Sequence, residues 1–149
     1  MSNLYELVEN MRSYPVLIFF GSSGAGKDTI IRELTANHPN MFIDVPFVTT
    51  RPLYDGETNG VHSLSAGDFE RMVSEGKIIF SGNRYGFSYG TDRDELERLR
   101  KTGKVIILQT SSVDALKQMY ETFPHARTVS VVPCTDANNT QQYMERVVS

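Results

Sequence analysis

Phe20-Gly21-Ser22-Ser23-Gly24-Ala25-Gly26-Lys27-Asp28-Thr29 lies between an apolar run, Val16-Leu17-Ile18-Phe19-Phe20, and a segment in which Ile30, Ile31 and Leu34 recur at helical spacing. The run is short enough for a buried strand, so the stretch reads as the loop of a strand–loop–helix unit. Its three glycines within six residues let the backbone turn sharply and approach a ligand closely. The helix that follows turns unpaired N–H groups and a positive partial charge toward an anion. Ser22, Ser23, Gly24, Ala25, Gly26, Lys27, Asp28 and Thr29 are therefore expected to surround phosphates, with Lys27 reaching the terminal ones.

Gly21, Gly26 and Lys27 satisfy the pattern G-x-x-x-x-G-K, but the next residue is Asp28 rather than Ser or Thr, with Thr29 one place later. A hydroxyl at that place normally ligates Mg²⁺. A carboxylate can do so too, directly or through water, because Mg²⁺ prefers hard oxygen ligands. Asp28 and Thr29 are thus the candidate metal ligands. A glycine-rich turn that binds nothing is the plain alternative, yet a lysine at the helix start beside three glycines has little structural use.

With 149 residues, 40% of them apolar, the chain suits one compact domain and has no room for two. Its net charge of −3 and the lack of a Lys/Arg run disfavour a nucleic-acid surface. The start, Met1-Ser2-Asn3-Leu4-Tyr5-Glu6-Leu7, has no export pattern, and no apolar stretch reaches membrane-spanning length, so a cytosolic protein away from membranes is expected. The single cysteine, Cys134, excludes an internal disulfide and makes a zinc site improbable.

Leu4, Leu7, Val8 and Met11 suggest a short leading helix that Tyr14-Pro15 ends. After the first strand and helix, Asn37-His38-Pro39-Asn40 is a stop signal, and Met41 to Val48 reads as one extended segment leading to Thr49-Thr50-Arg51-Pro52. Ser65 and Asp68 look like a capping box, as do Asp92 and Glu95, and Ser111 and Asp114 are expected to start a later helix. Tyr85-Gly86-Phe87-Ser88-Tyr89-Gly90 suggests a tight, hairpin-like connection. Strands at Val105-Ile106-Ile107-Leu108 and from Thr128 to Val132 complete an alternation that predicts a parallel α/β core. Residues 44–91 interrupt it with short strands and turns, and read as an insertion over the site that could hold a second substrate. The final segment, with Tyr143, Met144, Val147 and Val148, reads as a modest amphipathic helix.

The loop, then Val48-Thr49-Thr50-Arg51-Pro52, Gly56-Glu57, Gly60, Ser65, Phe69, Gly76 and Tyr89-Gly90-Thr91, together resemble the guanylate kinases over residues 14–132. The resemblance implies a P-loop NTPase three-layer fold, Mg²⁺ and ATP as the phosphoryl donor, and an acceptor, GMP, beneath the insertion. It carries Arg51 and Tyr89 onto the acceptor phosphate site, with Glu57 and Thr91 also acceptor-binding, and makes Lys27 and Arg51 the catalytic pair.

Against that pattern, Tyr54 takes the place of a second acceptor arginine, Phe80 that of a guanine-reading glutamate, and Gln109 and Ser111 those of acids serving the metal and the base. The arginine-rich lid corresponds to a short segment at 133–141 that is uncharged apart from Asp136, with Arg146 beyond it. The closing strand and helix of the family are expected to be missing. Ribose 1,5-bisphosphate phosphokinases share the G-K-D triplet, the single arginine, a Leu64-Ser65-like pair and a serine at the place of Ser81, which makes a sugar phosphate the rival acceptor. A non-catalytic guanylate-kinase-like binding module, or a truncated degenerate protein, is the reading from another class. Scaffold modules of that kind generally have a decayed phosphate loop, whereas Lys27 is retained here.

Overall fold

The computed structural model describes residues 15–22, 24–56 and 61–132. In chain order these form β1 (Val16–Phe20), α1 (Lys27–Asn37), β2 (Phe42–Asp44), β3 (Phe47–Thr49), β4 (Val61–Ser63), α2 (Ala66–Ser74), β5 (Ile78–Arg84), β6 (Phe87–Asp92), α3 (Arg93–Arg100), β7 (Val105–Thr110), α4 (Val113–Thr122) and β8 (Arg127–Ser130). The expected leading helix, the lid segment at 133–141, Cys134, Arg146 and the C-terminal amphipathic stretch lie outside the described residues, as do Ser23 and Glu57.

One four-stranded sheet has the order β2-β7-β1-β8, with every neighbouring pair parallel. Both of its faces are covered, which is why β1 and β7 are almost wholly apolar instead of alternating with polar residues. Leu17, Phe19, Phe42, Ile107 and Val129 pack with Ile31 and Leu34 of α1. On the opposite face Val16, Ile18, Ile106 and Leu108 pack with Leu96 and Leu99 of α3 and Met119 of α4. The result is a three-layer α/β unit with the glycine-rich loop at the carboxyl end of β1.

The extended segment expected from Met41 to Val48 is two strands in two different sheets. Val45 N–H donates to the Ile107 carbonyl at 3.0 Å, and Pro46, which has no N–H to give, ends that pairing. Asp44 accordingly lies in the core sheet, in register with Ile107, and the second sheet begins at Phe47. That sheet has the order β4-β3-β6-β5, parallel between β3 and β4 and antiparallel elsewhere. Phe69 of α2 packs on Val48 and Ile78 across one of its faces.

The aromatic, glycine-rich stretch is only partly a connection. Tyr85 and Gly86, with φ of 50° and 79°, make a two-residue turn whose left-handed backbone matches the twist of a hairpin. The residues from Phe87 onward are already β6.

Two of the three helix starts hold as expected. Ser65 accepts from Asp68 N–H at 3.1 Å, and Asp92 from Asp94 and Glu95 N–H at 2.9 and 3.3 Å. The cap of α4 is Ser112, one residue later than Ser111. Its hydroxyl accepts from Ala115 N–H at 3.2 Å, while Thr110 Oγ1 takes its own N–H at 3.0 Å.

The two sheets meet at a bulge in β5. The β5–β6 register shifts between Ile79 and Gly82, and Phe80, at φ 54°, turns into the core with its ring 6.1 Å from that of Phe123. At the bulge, Ser81 N–H donates to Gln118 Oε1 at 3.2 Å and Gln118 Nε2 donates back to the Ser81 carbonyl at 3.0 Å. Gly82 then lies so close to the Ser112 side chain that a Cβ could not fit without displacing it. We predict that Gln118→Ala lowers folding stability by about 1–3 kcal/mol, since the Ser81 N–H and carbonyl each lose a partner. Urea denaturation would measure it, and an unchanged midpoint would contradict this account of the joint.

Candidate functional site

The loop after β1 is held between the two neighbouring strands. Gly21 N–H donates to the Thr110 carbonyl at 3.3 Å, and Val131 N–H to the Phe20 carbonyl at 2.8 Å. Gly26 is the N-cap of α1 at φ 103°, a conformation that a side chain would strain, and no side chain caps the helix. The first-turn amides of α1 are thus left for a ligand. Lys27 bends back over the loop, its Nζ donating to the Gly21 carbonyl at 2.5 Å and the Ser22 carbonyl at 3.0 Å. Burial holds its ammonium below the ordinary lysine range, the Arg84 guanidinium adds to that, and Asp28 opposes it.

Of the other loop residues, Ser22 and Gly24 are exposed, and Ala25 packs into the α1-side core while its N–H donates to the Ser22 carbonyl at 3.1 Å. Asp28 and Thr29 are exposed on the first turn of α1. Each carries a hard oxygen donor. Among the described residues no three His, Cys, Asp or Glu side chains gather around a metal. A donor set of this size fits Mg²⁺, which keeps waters and phosphate oxygens in its shell rather than demanding a protein cage.

The Thr-Thr-Arg segment is built by hydrogen bonds to one residue of β6. Thr49 is fully buried, and its hydroxyl donates to the Ser88 carbonyl at 2.9 Å while accepting Arg51 N–H at 3.1 Å. Thr50 Oγ1 accepts Ser88 N–H at 2.9 Å. Ser63 Oγ donates to the Arg51 carbonyl at 2.8 Å, so the Arg51 backbone is held from both sides. Its guanidinium donates to the Pro52 carbonyl at 2.9 Å and stacks over the Tyr54 ring at 4.0 Å. Tyr54, where a second arginine was expected, is therefore the platform for the first.

Tyr89 pairs with Thr49, and Thr91 with Phe47. By strand alternation these four side chains share the face opposite α2. Tyr89 is half-buried beside Phe47, their rings 5.9 Å apart, whereas Thr91 is 5% exposed. Of the two expected acceptor residues on β6, Tyr89 keeps more surface open. Phe80, at the expected base-reading place, presents its ring to the core.

Two residues at this end of the molecule were missed from sequence. Arg84 closes β5 near enough to Lys27 for the two charges to repel, and nothing local in the sequence announces it. Asp44, half-buried, ends β2 on the heels of Phe42 and Ile43, and a lone acid closing an apolar run was a readable signal. Its Oδ1 is enclosed, with no hydrogen-bond partner among the described residues. Burial first, and the charge of Asp28 second, push its carboxyl up from 3.8 to about 7.

That shift makes stability depend on pH. In the unfolded chain Asp44 ionises near 3.8, but in the fold it keeps its proton to about pH 7, so stability falls as pH rises between those values and is level above them. Asp44→Asn removes the penalty. The variant should melt above the parent at pH 8, by on the order of 4 kcal/mol at most, and the gain should vanish at pH 4. Calorimetric melting at the two pH values decides it, and a gain of equal size at both would refute the assignment.

Comparison with known proteins gives one consistent result. A family model described as guanylate kinase matches residues 13–148. The chain is 33% identical over 127 residues to a guanylate kinase of Nostoc sp., covering 84% of this chain and 63% of that protein. It is 36% identical over 121 residues to one of Gloeobacter violaceus, covering 79% and 58%. A crystal structure of guanylate kinase from Anaplasma phagocytophilum superposes with a TM-score of 0.62 at 22% identity, over 77% of this chain and 57% of that one. This last likeness concerns the fold alone. The chain thus spans about 63% of the length of the Nostoc relative. No described helix is long and apolar enough to cross a membrane.

Proposed function

The chain belongs to the guanylate kinase family, and from that premise we propose that it is an ATP-dependent kinase that moves the γ-phosphate of ATP onto GMP. The observation that carries the reading is the intact phosphate loop, with Lys27 over its carbonyls and uncapped amides at the start of α1. Phosphoryl transfer asks for in-line positioning and cations around the moving group more than for covalent chemistry. In this reading Lys27 leaves the Gly21 and Ser22 carbonyls for the donor phosphates, and the loop amides hold the same oxygens. Arg51, kept in one orientation by Tyr54, grips the acceptor phosphate with its planar fork. Tyr89 adds a hydroxyl on that side, with Glu57 and Thr91 as further acceptor-side residues. Arg84 adds a second cation next to Lys27. Asp28 and Thr29 would hold Mg²⁺, which when bound neutralises phosphate charge.

The acceptor is the finer part of the proposal. GMP is supported by the names of the relatives. The sugar phosphate competes because the Phe80 ring is buried in the core and offers a base no polar atom. An assay of ADP formation with GMP, dGMP and ribose 1,5-bisphosphate separates them. Turnover with GMP is expected. Turnover with the sugar phosphate alone would overturn the acceptor assignment, and ATP binding without turnover would leave a binding module.

Two substitutions probe the roles. Lys27→Ala should abolish detectable ATP binding in a calorimetric titration. Arg51→Ala should raise the acceptor KM by about 10- to 100-fold, the loss of a charge-assisted hydrogen-bond pair, and leave the ATP dissociation constant within twofold. An unchanged acceptor KM would remove Arg51 from the acceptor site.

A further inference from the structure

Asp44 is an acid that the family resemblance does not use. It closes β2, an edge strand of the parallel sheet, at the carboxyl end where ligands of such sheets gather. Phe42, two residues before it, packs in the cluster on the α1 side, whereas Ile43 packs on the other. Alternation therefore puts Asp44 on the face that carries the phosphate loop and its helix. Asp28 lies on the first turn of that helix, which packs against β2 through Ile31, Leu34 and Phe42.

A buried carboxylate oxygen without a partner costs free energy that a purely structural residue would not be expected to incur. Asp44 Oδ1 is such an atom among the described residues. Meanwhile Gln109 in β7, the neighbour of β2, and Ser111 just after that strand stand where acids serving the metal and the base were expected, and neither is a carboxylate.

We propose that Asp44 supplies the carboxylate that β7 lacks, acting as a positioning residue for Mg²⁺ by accepting hydrogen bonds from the water shell of an ion held at Asp28 and Thr29. The proposal rests on the reading of the loop as an Mg·ATP site. It assigns the outer-shell acid to the strand beside the usual one, so the cation is gripped from α1 and β2.

The test is metal affinity rather than rate. Mn²⁺, read by electron paramagnetic resonance, is titrated into the full chain saturated with a non-hydrolysable ATP analogue, for the parent, Asp44→Asn and Asp44→Glu. Loss of an outer-shell partner should weaken Mn²⁺ binding by about 10- to 100-fold in Asp44→Asn. The glutamate should restore part of it, and analogue affinity without metal should stay within twofold. Equal Mn²⁺ affinity in parent and Asp44→Asn overturns the proposal while leaving the nucleotide site intact. A parent chain that binds no analogue, with or without metal, overturns the site reading itself. Should Asp44→Asn fail to fold, Asp44→Ser carries the same comparison, with circular dichroism as the check on folding.

Discussion

One side-chain amide sets the geometry on which the rest depends. Gln118 reaches from α4 to both backbone groups of Ser81, and so fixes the place where β5 leaves its regular pairing. From that point the links are short. Gly82 is pressed against Ser112, Ser112 is tied to Thr110, and the Thr110 carbonyl receives the first amide of the phosphate loop. Arg84 stands two residues beyond Gly82, which is how a hairpin from the small sheet delivers a cation to a lysine on the large one. The local sequence of either sheet carries no trace of this chain of contacts.

That division explains what could be read in advance. The loop, the Ser65 and Asp92 caps and the buried strands β1 and β7 depend on neighbours within a few residues, and their periodicity and turn chemistry declare them. The sequence also marked a second structural region, though its edge lay at Phe47 and not at Asp44. What stayed hidden depends on contacts between distant parts of the chain. Pro46 gave a hint that the segment after Met41 changes sheets, but only the pairing of β2 with β7 decides it. The positive φ of Phe80 and the shift of the α4 cap from Ser111 to Ser112 are likewise products of packing. For the site, Arg51 was legible as part of a motif, whereas the stacking of Tyr54 beneath it was read only as a missing arginine.

Charge at the carboxyl end of the core sheet is arranged in opposed pairs rather than as a uniform field. Lys27 and Arg84 repel one another, and Asp28 and Asp44 do the same nearby. The cationic pair is half-buried and the acidic pair sets a half-buried Asp44 against an exposed Asp28, and each would be relieved by a ligand of the opposite sign. A nucleotide phosphate with its cation brings both signs at once. The binding free energy of such a ligand would include the relief of those like-charge contacts, a route to affinity that requires no large contact area.

The Phe80 ring has a mechanical consequence. A swing of the small sheet wide enough to open the space beside the phosphate loop would draw this ring out from between Leu96, Met119 and Phe123. Exposing one phenylalanine costs about 1.5–3 kcal/mol. The widely opened form would then hold roughly a tenth of the molecules at most, and as little as about a hundredth. Ring and bulge together act as a latch between the two sheets.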